Sequence, residues 1–183
     1  MPVAAPSQLR RRLVLPAAVA ALVALAAPGA ASAKVCHHTG ADPNDVALEK
    51  VQTATLCLIN NRRRKRGIPR VSENRRLDLA SMRHARAMAR NNFFEHGDYV
   101  GRIKRADYLD GAGSWTVGEN IAWGAGPYAT PAAIVRMWMD SPPHRANILS
   151  RRFREIGIGI ARGTPSSRDV GGATYATDFG SRG

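Results

Sequence analysis

Two short runs near the C-terminus constrain the fold more than any other feature of this chain. Ile156, Ile158 and Ile160 alternate with Gly157, Gly159 and Ala161, while Ala173, Tyr175 and Thr177 alternate with Thr174, Ala176 and Asp178. A period of two belongs to strands, whose successive side chains point to opposite faces. The segment 163–172, rich in Gly, Ser and Pro, reads as the turn between them, which makes the two strands antiparallel neighbours.

Everything before them has helical spacing. Asp42 is placed as an N-cap, with Pro43 at the first helical position and Asp45 in the first turn. The stripe Ala47, Leu48, Val51, Ala54, Leu58 and Ile59 follows, and the basic run Arg62 to Arg66 closes the helix at Gly67. A second helix is predicted over 75–92, with Leu77, Ala80, His84, Ala85 and Met88 inward. His84 therefore reads as a hydrogen-bonded core residue and stays outside the candidate site. Residues 93–128 break into Gly-rich pieces that read as a long connection carrying one short strand. Thr130 and Pro131 open a third helix with Ile134, Val135 and Trp138 inward, and Ser141-Pro142-Pro143 starts a short turn holding His144. Helices first and paired strands last argue for an α+β domain with an antiparallel sheet.

The N-terminal residues have a different character. Arg10, Arg11 and Arg12 precede an apolar run from Leu13 to Ala27, and Ala31-Ser32-Ala33 follows. This is the layout of a cleaved signal peptide over residues 1–33. As a membrane anchor the run is too short, since about 20 apolar residues are needed to span a bilayer. Export leaves residues 34–183, the size of a single domain. Its formal charge falls from +13 to +10, with 24 basic residues against 14 acidic. A secreted chain of that charge is expected to meet anionic wall polymers, acidic lipid headgroups or acidic glycans, and nucleic acid only secondarily, with a wall component, lipid or peptide as the expected ligand. For Arg62 to Arg66 the first reading is a helix C-terminus that favours cations. A monomer is expected.

Cys36 and Cys57 are the two cysteines, and in an oxidising compartment an isolated pair reads as one disulfide. Seven extended residues from Cys36 to Pro43 reach about 23 Å, enough to fold back along a helix starting at Pro43.

Glu119 carries the most chemistry. If Val117 to Trp123 is extended, Val117, Glu119, Ile121 and Trp123 share one face. A carboxylate among apolar neighbours needs donors, and residues 106–135 contain no Lys or Arg. The donors are therefore expected from elsewhere in the fold, and His96 and His144, each beside a turn residue, are the candidates. Two imidazoles and a carboxylate suit a zinc site with an open position or a general acid/base pair. No His-Glu-x-x-His or Gly-x-Ser-x-Gly spacing accompanies them. A clamp joining two loops and a binding site are equal readings of these residues, with catalysis behind both.

The series Asn92-Phe93-Phe94-Glu95-His96, Gly118-Glu119-Asn120-Ile121-Ala122, Ser141-Pro142-Pro143-His144-Arg145-Ala146-Asn147, Glu155-Ile156-Gly157-Ile158-Gly159 and Asp178-Phe179-Gly180 resembles the bacterial, SCP-like branch of the CAP superfamily. That family is named from cysteine-rich secretory proteins, antigen five and pathogenesis-related proteins. The resemblance implies an α-β-α sandwich with a small antiparallel sheet between helical layers, and an extracellular or wall-associated protein. It also implies that His96, Glu119 and His144 line a central cleft where some relatives coordinate zinc or another divalent cation. Eukaryotic relatives carry a second cleft glutamate at the position of Ser141, with Asp140 beside it here as a weaker candidate. On this resemblance the chain is expected to be an extracytoplasmic binding module, with a metal-assisted hydrolase of peptides or wall polymers as the alternative.

Overall fold

The computed structural model describes residues 34–166 and 171–183. The predicted signal peptide, residues 1–33, lies outside them. Among the described residues no helix is long and apolar enough to cross a membrane.

Among the described residues five α-helices and four strands follow one another as α1 (Leu48–Arg64), β1 (Ser72–Glu73), α2 (Arg75–Asn91), α3 (Tyr99–Lys104), β2 (Trp115–Gly124), α4 (Pro131–Asp140), α5 (Pro142–Ile148), β3 (Glu155–Arg162) and β4 (Ala173–Arg182), with a short 3-10 helix, Gly126–Ala129, before α4. The sheet order is β1-β3-β4-β2. β4 is antiparallel to both β2 and β3, as the alternating runs require, and the two-residue β1 adds a parallel edge to β3.

The alternation of β3 builds an α-β-α sandwich. Ile156, Ile158 and Ile160 face a core with Val51 and Ile59 of α1, Ile134 and Trp138 of α4, and Ile148 of α5. On the opposite face a Cβ at Gly157 would lie 2.0 Å from the Leu77 backbone, and one at Gly159 would lie 2.2 Å from the Ser81 carbonyl carbon. Hydrogen in place of a side chain lets α2 lie directly on the sheet. The two faces thus bury different elements for one local reason.

Two expectations are corrected. The first helix begins at Leu48, not Pro43, because Asp42 accepts the Asn44 N–H at 2.8 Å and caps a separate turn over 42–45. The segment 93–128 is more regular than a long connection. Asp98 caps α3 through the Gly101 N–H at 2.7 Å, Ile103 packs with Leu77 and Ala80, and β2 runs for 10 residues. The glycines there hide the strand signal, since β2 is covered on both faces and does not alternate in polarity. Cys36 and Cys57 form the expected disulfide, with Cα atoms 5.7 Å apart, tying the N-terminal segment to α1.

Candidate functional site

Glu119 lies in β2 with its side chain 1% exposed, on the sheet face covered by α2. Oε1 accepts from His96 Nδ1 at 2.8 Å, and Oε2 accepts from Arg102 Nη2 at 2.5 Å. The same Arg102 nitrogen also donates to the His96 carbonyl at 2.7 Å. The α3 guanidinium therefore holds both the carboxylate and the loop that carries the histidine. A donor from outside 106–135 was expected, and Arg102, four residues upstream of that window, is the main one. Arg105 and Lys104 lie nearer to the cation-free stretch, so nothing in the sequence singled out Arg102.

The two predicted histidines behave differently. His96, with its side chain 49% exposed, is a direct partner of Glu119. His144 is not: its Nδ1 pairs with Ser141 Oγ at 2.8 Å, one turn back across the start of α5. The expectation that both imidazoles serve Glu119 is corrected on this point, because Arg102 takes the second oxygen. His144 still comes into the cleft, its ring centroid 6.4 Å from that of His96. Burial, and then the neighbouring His96, lower its pKa from the ordinary imidazole range. Asp140 is exposed at the end of α4, and among the described residues no ion pair joins it to His96 or His144.

Two asparagines place His144. Asn120 donates to the His144 carbonyl at 3.0 Å, and Asn147 donates to the Glu119 carbonyl at 3.1 Å and to Asn120 Oδ1 at 2.9 Å. This amide pair sews α5 onto β2. His84 is 4% exposed, and its Nε2 bonds the Glu95 carbonyl at 2.9 Å. A carbonyl only accepts, so Nε2 carries the proton. The same nitrogen lies 3.9 Å from Glu119 Oε2, which makes this core residue a neighbour of the site. Burial lowers its pKa, with the Glu119 charge acting the other way.

A second carboxyl, unanticipated from sequence, lies directly across the sheet. Asp178 of β4 pairs in register with Glu119, is fully buried, and accepts from Ser81 Oγ at 2.8 Å through Oδ2, while its Oδ1 has no hydrogen-bond partner among the described residues. Burial, and then the Glu119 charge, push its pKa up to about 8. Neutral Asp178 beside Arg102-paired Glu119 avoids two like charges on adjacent strands. A buried acid raised in this way favours the fold below its unfolded pKa, near 4, and loses that contribution as pH rises towards 8. Unfolding measured from pH 5 to pH 9 should show stability falling with pH, and Asp178→Asn should remove most of that fall. An unchanged slope in the variant would mean that another group titrates.

The family resemblance implies a divalent cation here, and the donor set does not fit a three-ligand centre. Both Glu119 oxygens are occupied, one by a guanidinium that stands where a cation would, and His96 turns Nδ1 to the carboxylate. Among the described residues no group of three or more His, Cys, Asp or Glu is arranged to hold a metal ion. Sizeable surface hollows among the described residues lie elsewhere. One of about 410 Å³ lies along α2 against Arg83, Arg86 and Arg90, and one of about 290 Å³ sits beside the disulfide, lined in part by Val35, His37 and Lys50. Chemistry and cavity size thus point to different places, and convergent polar groups are the stronger sign of a site.

Comparison with known proteins places this arrangement. Residues 56–177 match the CAP model, described as the cysteine-rich secretory protein family. The uncharacterized protein YkwD of Bacillus subtilis is 30% identical over 134 residues, covering 70% of this chain and 49% of YkwD. The uncharacterized membrane protein YlbC of the same bacterium is 27% identical, covering 65% of this chain and 35% of YlbC. The chain thus spans half or less of the length of these curated relatives. Among solved structures, an extracellular SCP-domain protein of Bacillus anthracis matches with a TM-score of 0.55 at 23% identity, over 73% of this chain and 43% of that one. An outer surface protein of Borrelia burgdorferi matches with a TM-score of 0.58 at 17% identity, over 75% of this chain and 97% of its own. The α-β-α sandwich is common to them, and with the family model covering most of the described domain, this chain belongs to the CAP, or cysteine-rich secretory protein, family.

Proposed function

We propose that this protein is a secreted binding module whose cleft presents His96 and His144 to an extracellular ligand without turning it over. The observation that carries this reading is the double commitment of Glu119. A general base must reach a proton on its substrate or on a water, and this carboxylate is buried with both oxygens already held by protein donors. Glu119 is then the clamp that fixes the His96 loop. What remains for a ligand is the pair of imidazoles with Nδ1 of each already assigned, His96 to Glu119 and His144 to Ser141. A shallow polar cleft of this kind suits one edge of a wall polymer, lipid headgroup or peptide better than an enclosed small molecule. The B. anthracis and B. burgdorferi relatives, named as extracellular and outer-surface proteins, support an extracellular place.

The alternative, a metal-assisted hydrolase of peptides or wall polymers, requires Glu119 to leave Arg102. Sedimentation of the protein with purified wall fragments, lipid vesicles and peptide-coated beads at high salt separates the two. Retention on one of them should weaken roughly tenfold, about 1.4 kcal/mol, in a His96→Ala/His144→Ala variant. Equal retention of that variant would sink the cleft as the binding site. Zinc-stimulated cleavage of wall polymer or peptide, lost in the same variant, would replace binding by hydrolysis.

A further inference from the structure

The densest acid-free positive charge of this protein falls in two loops. From residue 34 onwards there are 24 basic and 14 acidic residues, and nine of the basic ones fall in 62–70 and 151–154, where there is no acid. The other 15 are nearly matched by the 14 acids. Arg62 to Lys65 lie at the end of α1, where a helix C-terminus accounts for cations. Arg66, Arg70, Arg151, Arg152 and Arg154 lie beyond that last turn, and all five are exposed.

One buried residue joins the two loops. Arg63 is fully buried and donates to the carbonyls of Pro69, Ile148, Ser150 and Phe153, at 2.7 to 3.1 Å. Arg151 in turn donates to the Gly67 carbonyl at 3.1 Å. The charges converge closely enough that Arg154 and Arg151, after burial, help lower the pKa of Arg63 to about 10. Among the described residues no ion pair involves any of the nine cations, and the side chains of Lys65, Arg66, Arg70 and Arg152 make no hydrogen bond. Holding like charges together unpaired is unfavourable unless an anion neutralises them.

We infer that the loops 62–70 and 151–154 form a single docking surface for a linear polyanion whose charges are phosphodiester groups. The exposed cations are arginines except for Lys65, and the guanidinium fork matches phosphate oxygens in pairs. No large apolar side chain is exposed in either loop, since Ile68, Val71 and Phe153 are all buried. The surface therefore has neither an apolar anchor for a bilayer nor an aromatic platform for stacking single-stranded bases. Contact by charge alone suits a flexible polymer of repeating phosphates, and the surface acts independently of the cleft ligand.

Retention on immobilised poly(glycerol phosphate) in a salt gradient tests this. The full chain should be held at low salt and released as salt rises. Arg66→Gln/Arg70→Gln/Arg152→Gln should weaken retention about tenfold with unchanged thermal unfolding, while Arg83→Gln/Arg86→Gln/Arg90→Gln on the exposed face of α2, which removes the same charge, should change it less than about twofold. His96→Ala/His144→Ala should be held like the unaltered protein, which separates this surface from the cleft. Equal losses in the two arginine variants would show diffuse attraction and overturn the assignment. Tighter retention on duplex DNA or on anionic phospholipid vesicles at the same salt would overturn the polymer.

Discussion

Arg63→Met should destabilise the domain by about 3–5 kcal/mol, since four buried or part-buried carbonyls lose their donor together. The thioether fills part of the space and donates nothing. Arg63→Lys should recover less than half of the loss, because one ammonium cannot reach the carbonyls of Pro69, Ile148, Ser150 and Phe153 at once. Denaturant unfolding reads both. A cost below about 1 kcal/mol for the methionine variant would mean that solvent replaces the guanidinium and that the two loops are not held by it. A functional consequence follows: the methionine variant should also lose retention on poly(glycerol phosphate), although it keeps every exposed cation, because the loops that carry them are no longer held side by side.

Glu119→Ala should cost a similar amount, about 3–5 kcal/mol, by leaving the Arg102 guanidinium without its counter-ion. Arg102 Nε is already buried without a hydrogen-bond partner among the described residues, so little compensation is available. The double variant Glu119→Ala/Arg102→Met should be less destabilised than the sum of the single variants, since the stranded charge is gone. His144→Ala should cost far less, because His144 bonds Ser141 and the backbone placement by Asn120 survives. Equal costs for Glu119→Ala and His144→Ala would contradict the clamp drawn here. Glu119→Gln offers a separate readout: removing the charge across the sheet should lower the pKa of Asp178 and move the pH at which stability falls.

These two residues also show how far the sequence reaches. Glu119 was identifiable because period-two spacing put a carboxylate among apolar residues, an unfavourable state that demands donors. Which donors was not legible. Arg102 reaches it only because α3 forms where a Gly-rich loop was expected. Asp178 was equally hidden: its strand was recognised from the alternation of Tyr175 and Thr177, but nothing local says which residue of β2 lies opposite. That register, Glu119 against Asp178, is a pairing across nearly 60 positions. Arg63 illustrates the reverse case, a residue placed correctly at a helix end and read as one of five similar cations, of which it alone is fully buried.

The sequence by itself determined the antiparallel strands, the span and inward face of α2, α4 opened by Thr130 and Pro131, and the Cys36–Cys57 pair. Each depends on spacing, caps or covalent chemistry within a short stretch. The tertiary structure alone decided the start of α1, the existence of α3, the parallel edge strand β1, the partners of Glu119 and the joining of two basic loops around Arg63. Those outcomes depend on which carbonyls, charges and faces meet through space. The free energy of a buried polar group is set by the partner that arrives, however distant in sequence, and not by its neighbours along the chain.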